Sequence, residues 1–177
     1  MMTIQVDSRE KAHAIQHILT DFRRAGAKWF VSKMYVGDYM SLDNPRLVVD
    51  RKQNLAELCG NVCREHERFR AELIRAQEAG IKLIILCEHG DGIRTLEDVL
   101  FWVNPRHRVK KLIKGRWVWA EQHVMHGDVL YKILTTMERK YGVTFLFCDR
   151  TETGRRIIEL LGGTDGRERN QRPHKDD

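Results

Sequence analysis

The chain has 177 residues, 42% of them hydrophobic and 32% charged, with a formal net charge of +6. That is the size of one domain with room for a real core, and no apolar run approaches the ~20 residues of a membrane span, which excludes a helical membrane protein. Charge arrives at Asp7, too early for a secretory leader. Cys59, Cys63, Cys87 and Cys148 lack CxxC spacing, so a reducing cytoplasm is expected rather than a disulfide framework or zinc ribbon.

Thr3 to Val6 reads as a short strand ending at Asp7. Ser8 is placed to cap a helix running to about Ala25, with Ala12, Ile15, Leu19 and Phe22 on one face and Gly26 as its stop. Lys33 to Leu42 and Arg46 to Lys52 read as two strands of a hairpin around Asp43, Asn44 and Pro45. Asn54 and Glu57 form a capping-box-like start for a helix reaching towards Ala79, with an interruption near Gly60. Arg64, Arg68 and Arg75 recur along it at helical spacing, as do Glu65 and Glu72; that is either a solvated face of i,i+4 pairs or a row of phosphate contacts. Ile81 to Cys87 is a continuous apolar run, as in a central buried strand. Thr95 and Asp98 mark a further helix start.

Residues 104–120 (NPRHRVKKLIKGRWVWA) hold Arg106, Arg108, Lys110, Lys111, Lys114 and Arg116 and no acid. Their six charges equal the whole net charge of +6, so the remainder of the chain balances. Such a run suits a nucleic-acid backbone, and Trp117 and Trp119 beside it have rings able to stack on unpaired bases. The competing readings are a solvated loop with buried tryptophans, or a strand, given the Trp-Val-Trp alternation. Asp128 starts a helix with Leu130, Ile133, Leu134 and Met137 on one face, ending at Gly142. Val143 to Cys148 is a second buried strand, and Thr151 opens a last helix ending at Gly162 and Gly163. Residues 1–163 are expected to form the domain, and the polar tail 164–177 to be disordered. His13/His17 and His123/His126 have metal-ligand spacing but no evident third ligand. The element order predicts an α/β fold, a mixed central sheet flanked by helices.

The chemistry centres on the hairpin. Phosphodiester cleavage with a divalent metal needs convergent carboxylates and a nearby cation. If Leu42 faces Arg46 across a three-residue loop, Asp38 lies opposite Asp50, and side-chain alternation puts Asp50 and Lys52 on one face. A one-residue slip would separate the three. Charge at the end of a buried strand is where an open α/β sheet keeps its chemistry.

These residues carry a family resemblance. Asp38, Asp50 and Lys52 fit the loose Asp…(Asp/Glu)-x-Lys signature of restriction-endonuclease-like nucleases. Val6-Asp7-Ser8-Arg9-Glu10, Val36-Gly37-Asp38-Tyr39 and Asp50-Arg51-Lys52 resemble the V-D-x-R-E, V-G-D-Y and E-R-K motifs of the XPF-type endonuclease domain, with Asp50 replacing Glu. The family's next acid is Ala56 here, and Glu57 follows one position late. The resemblance implies a restriction-endonuclease-like core and a metal-dependent DNA endonuclease acting on branched or flapped DNA, in the setting of repair or recombination. Asp38 and Asp50 would bind Mg²⁺ or Mn²⁺ with a backbone carbonyl near Arg51, and Lys52, Asp7, Glu10 and Arg51 would complete the catalytic set. Arg9, Arg64, Arg68, Arg106, Arg108, Lys110, Lys111, Lys114 and Arg116 would contact DNA. Family domains commonly pair, which makes a homodimer through the last two helices an expectation, and a stand-alone nuclease of this size points to a microbial or viral setting. A symmetric Holliday-junction resolvase and a non-catalytic DNA-binding module with a degenerate site are the alternatives.

Overall fold

The computed structural model describes residues 1–162, so the expected tail at 164–177 lies outside the described residues. In chain order its elements are β1 (Thr3–Asp7), α1 (Gln16–Arg24), β2 (Lys28–Ser32), β3 (Tyr39–Ser41), β4 (Asn44–Lys52), α2 (Leu55–Cys63), α3 (His66–Glu78), β5 (Lys82–Glu88), β6 (Arg108–Ile113), β7 (Arg116–Glu121), α4 (Gly127–Tyr141), β8 (Thr144–Cys148) and α5 (Thr153–Gly162). Six strands form one mixed sheet in the order β2-β1-β3-β4-β5-β8, and β6 and β7 form a separate two-stranded ribbon. β4, β5 and β8 run parallel, β1 and β2 run parallel, and β3 joins the two groups antiparallel to both neighbours.

Strand alternation divides the core into two. Val48, Leu83, Ile85 and Phe145 face Leu55 and Leu58 of α2, Phe69 and Leu73 of α3, and Leu130 and Leu134 of α4. Val49, Ile84 and Leu86 face Ile18 and Phe22 of α1 and Ile157 and Leu161 of α5. Because β4 and β5 are covered on both sides, their sequences read as apolar runs rather than as alternation. The fold is a single α/β domain with a mixed sheet between helical layers, as expected. Among the described residues no helix is long and apolar enough to cross a membrane. Cys87 and Cys148 are buried free thiols, and burial pushes the Cys148 thiol up to about 11.

Several boundaries differ from expectation, each for a local reason. Ser8 caps no helix. Asp7 accepts hydrogen bonds from the Arg9 backbone N–H and guanidinium, which curls residues 7–10 into a turn. Lys11 is then extended, a 3₁₀ turn covers Ala12–Ala14, and α1 begins only at Gln16. The strand expected from Lys33 is only Tyr39–Ser41, and Asn44 and Pro45 belong to β4 instead of the turn. The helix from Asn54 breaks after Cys63, where the Gly60 carbonyl accepts from both Arg64 and Glu65. The Thr95–Asp98 start leads into a 3₁₀ turn, Glu97–Phe101. Residues 108–121 are an ordered ribbon rather than a loop.

Candidate active site

The acidic cluster forms where β3 and β4 meet. Tyr39 pairs with Val49 and Met40 with Val48, the register expected for the hairpin. The misjudged turn does no harm, because the register shifts between Met40 and Ser41 and absorbs it. Asp38 sits just beyond the last pair and is held at three points. Its N–H donates to the Val49 carbonyl at 2.9 Å, its carbonyl accepts from the Asp7 N–H at 2.8 Å, and its Oδ2 accepts from the Arg51 N–H at 2.8 Å. Gly37 makes this approach possible. Its φ is +65°, and a Cβ there would lie 2.5 Å from Val48 Cγ1.

Asp50 and Lys52 are buried and point to the same face of β4 as Val48. Lys52 Nζ lies 2.6 Å from Asp50 Oδ2 and 5.6 Å from the centre of the Phe69 ring. The Lys52 ammonium is the group that meets the buried Oδ2 of Asp50. Burial pushes the Asp38 carboxyl well above the usual carboxylate range, and the neighbouring charges of Asp50 and Glu10 add to the shift. Burial works against the Lys52 ammonium, but Asp50 and then Asp38 more than offset it, so Lys52 stays charged.

Arg51 points to the opposite face. Its guanidinium bonds Glu10 at 2.9 Å and Glu88 at 3.1 Å, with 3% of its side chain exposed. Tyr39 Oη donates to Glu10 at 2.8 Å, and His17 Nε2 lies 3.0 Å from Glu88. Both carboxylates of this layer are therefore held by cations and hydroxyls under the cluster. Asp7 is fully buried, and its oxygens are taken by Arg9 and the Met34 N–H. Burial alone would raise its carboxyl, but the Arg9 and Met34 hydrogen bonds hold it below the usual range.

Asp38, Asp50, Lys52 and Glu10 are thus gathered, Arg51 underpins them, and Asp7 shapes the loop that carries Asp38. Three contributors were missed. Glu72 on α3 accepts from the Gly37 N–H at 3.1 Å and lies in the field of Lys52 and Arg9. Its position three after Phe69 was the available signal. Glu88 ends the apolar run of β5, the same cue that singled out Asp50. Tyr39 stood inside the Gly37-Asp38-Tyr39 motif. Glu57 plays the capping role expected of it: its N–H donates to Asn54, and its carboxylate accepts from the Gln53 N–H.

The donor set suits a hard divalent ion. Asp50 is buried with the Lys52 ammonium on its Oδ2, and Asp38 is pushed towards its neutral form by burial and then by the adjacent acids. Among the described residues no three His, Cys, Asp or Glu side chains form a ready cage. Mg²⁺ takes one or two carboxylates and completes its shell with water and phosphate. Asp38 and Asp50 fit that demand.

The cations expected to meet DNA fall into two groups. Arg9 sits at the rim, paired with Asp7 and within the field of Asp38 and Glu72. Arg68 is exposed on α3. Arg64 and Arg106 both act on the Cys59 thiol, which brings the end of α2 close to the base of the ribbon. Arg108, Lys110, Lys111, Lys114 and Arg116 are exposed along the ribbon.

The sequence profile of the ERCC4 domain family matches residues 6–160. No curated protein sequence matches the chain. Two solved structures share the fold. XPF from Aeropyrum pernix aligns with a TM-score of 0.59 and 19% identity over 90% of this chain and 63% of that one. The Aeropyrum pernix XPF complex with DNA aligns with a TM-score of 0.60 and 19% identity over 92% of this chain and 64% of that one. The chain therefore spans a little under two thirds of the length of those relatives, and at such identity the likeness concerns the fold.

Proposed function

The chain belongs to the ERCC4 domain family, a family of structure-specific DNA endonuclease domains, and from that premise we propose that it hydrolyses phosphodiester bonds in branched or flapped DNA with Mg²⁺ or Mn²⁺. The observation that carries the reading is the convergence of Asp38, Asp50 and Lys52 at the end of β4, with Asp50 buried against the Lys52 ammonium and Asp38 in the field of both.

Asp38 and Asp50 would hold the ion. When bound, the ion supplies Lewis acidity that activates water and offsets charge on the phosphoryl oxygens. Lys52, kept protonated by its acidic neighbours, positions the attacking water or neutralises charge as it builds on the phosphate. Glu10 orients Arg51, and Arg51 in turn donates its backbone N–H to Asp38, so this pair fixes the geometry of the ligand. Asp7 acts by positioning the Asp38 loop. The rim and ribbon arginines and lysines neutralise phosphates on either side of the scissile bond. A homodimer would use the region of α4 and α5, which lie on opposite faces of the sheet.

The test is a panel of end-labelled flap, fork, four-way and linear duplex DNAs incubated with Mg²⁺, Mn²⁺ or chelator. Cleavage of flap or fork substrates that needs the ion supports the reading. Preference for four-way junctions by a stable dimer would favour a resolvase instead. Absence of cleavage with retained binding would leave a DNA-binding module.

A further inference from the structure

The ribbon of β6 and β7 exposes what a folded chain normally hides. Trp102 is buried and Trp29 half-buried, but Trp117 is 70% and Trp119 59% exposed. Leu112 and Ile113 beside them are also more than half exposed. Clustered exposed apolar surface marks a contact site.

Register decides what that site looks like. Lys110 pairs with Trp119, Leu112 with Trp117 and Arg108 with Glu121, so Arg108, Lys110, Leu112, Trp117, Trp119 and Glu121 share one face. The Arg108 guanidinium lies 5.8 Å and Lys110 Nζ 5.3 Å from the centre of the Trp119 ring. Those cations lie over the Trp119 ring, orient it and hold phosphate-binding groups against it. Trp117, among the described residues, has no ring or cation stacked on it. Lys111 and Arg116 occupy the opposite face. Lys114 and Gly115, at φ +47° and +75°, close the ribbon with the tight primed turn that two-residue hairpins favour.

The base of the ribbon is anchored on α2, the helix that follows β4. At its base Asn104 is buried, donating to the Met125 carbonyl and the Cys59 Sγ of α2 and accepting from the Arg106 N–H. Trp102, just before it, meets His89 edge-on, and His89 Nδ1 accepts from the Leu55 N–H at the start of α2. Leu55 follows Lys52 by three residues.

We infer that the Trp117/Trp119 face is a binding site for the unpaired bases of a single-stranded DNA arm, and that it selects branched over fully paired substrate. Two exposed rings on one face match bases that have left the stack, and the cations flanking them match the phosphates of the same strand. Paired duplex bases present no free ring face to a tryptophan. The inference rests on the endonuclease reading for its biological setting but is read by binding alone.

The experiment measures affinity in chelator, where no cleavage occurs. Wild type, Trp117→Ala, Trp119→Ala and Trp117→Phe are titrated with labelled oligo-dT, a duplex bearing a single-stranded arm, and a blunt duplex. Each alanine variant should lose about 5- to 160-fold in affinity for the first two and nothing for the blunt duplex. Trp117→Phe should restore most of the loss. Oligo-dT should quench tryptophan fluorescence in wild type but not in a Trp117→Ala/Trp119→Ala double variant. Lys111→Ala should weaken all substrates alike and reduce the salt slope by about 1. Equal losses on all substrates, no loss on any, quenching that survives the double variant, or ring-dependent self-association in place of DNA binding would overturn the inference. Base-dependent binding without cleavage in metal would sink the nuclease reading and leave this one standing.

Discussion

Replacing Arg51 by Met should unfold the support beneath the acidic cluster. Arg51 is 3% exposed and lies between Glu10 at 2.9 Å and Glu88 at 3.1 Å, with the Glu88 side chain itself 3% exposed. Met fills the space but donates nothing. Glu10 keeps the Tyr39 hydroxyl, while Glu88 keeps only His17 at 3.0 Å. Stranding one partner of a buried pair costs about 3–5 kcal/mol, a large share of the roughly 5–15 kcal/mol that holds a domain together. At about 2–4 °C per kcal/mol for a domain of this size, the melting temperature should fall by roughly 6–20 °C. Adding Glu88→Gln should recover about 1–3 kcal/mol relative to the sum of the single changes. Denaturant melts of wild type, both single variants and the double variant are the assay. A deficit below about 1 kcal/mol, or no recovery in the double variant, would refute the network as described.

Asp38→Asn tests the ligand directly. The raised Asp38 carboxyl contributes stability that is full below the unfolded value of about 3.9 and is lost as pH rises through the folded one. Without metal the Asn variant should therefore melt higher than wild type at neutral pH, and the gap should close on acidification. Wild type, but not the variant, should gain stability on adding Mn²⁺, and its affinity for the ion should rise with pH as the Asp38 proton is displaced. Gly37→Ala should cost about 2–5 kcal/mol, because it combines a left-handed φ with a Cβ driven against Val48. It should also depress cleavage, since Gly37 adjoins Asp38 and donates to Glu72. Denaturant midpoints and initial rates on flap DNA check both effects.

What the residues disclosed and what they withheld have physical causes. The pairing of Tyr39 with Val49 was legible because a buried face on β4 specifies register so strongly that a misplaced turn could not shift it. The cap of α2 was legible because Asn54 and Glu57 act within one turn. The start of α1 was not, because the competing partner was a neighbouring side chain: Asp7 spends its oxygens on Arg9 and thereby forbids Ser8 the helical cap. Glu72 and Glu88 join the cluster through chain segments 35 and 37 positions away from their partners, distances at which a sequence pattern has no grip. The ribbon lay between two readings, since the alternation of Trp117-Val118-Trp119 was equally open to a loop or a strand; the two-residue turn at Lys114-Gly115 was the signal that decides it.

The most direct test separates binding from bond breaking at two positions. Asp50→Asn and Lys52→Ala are compared with wild type on one labelled flap substrate, with gel shift in chelator and cleavage in Mg²⁺ or Mn²⁺ read from the same preparations. The account predicts near-wild-type binding and abolished cleavage for both. Cleavage retained by both variants would contradict it.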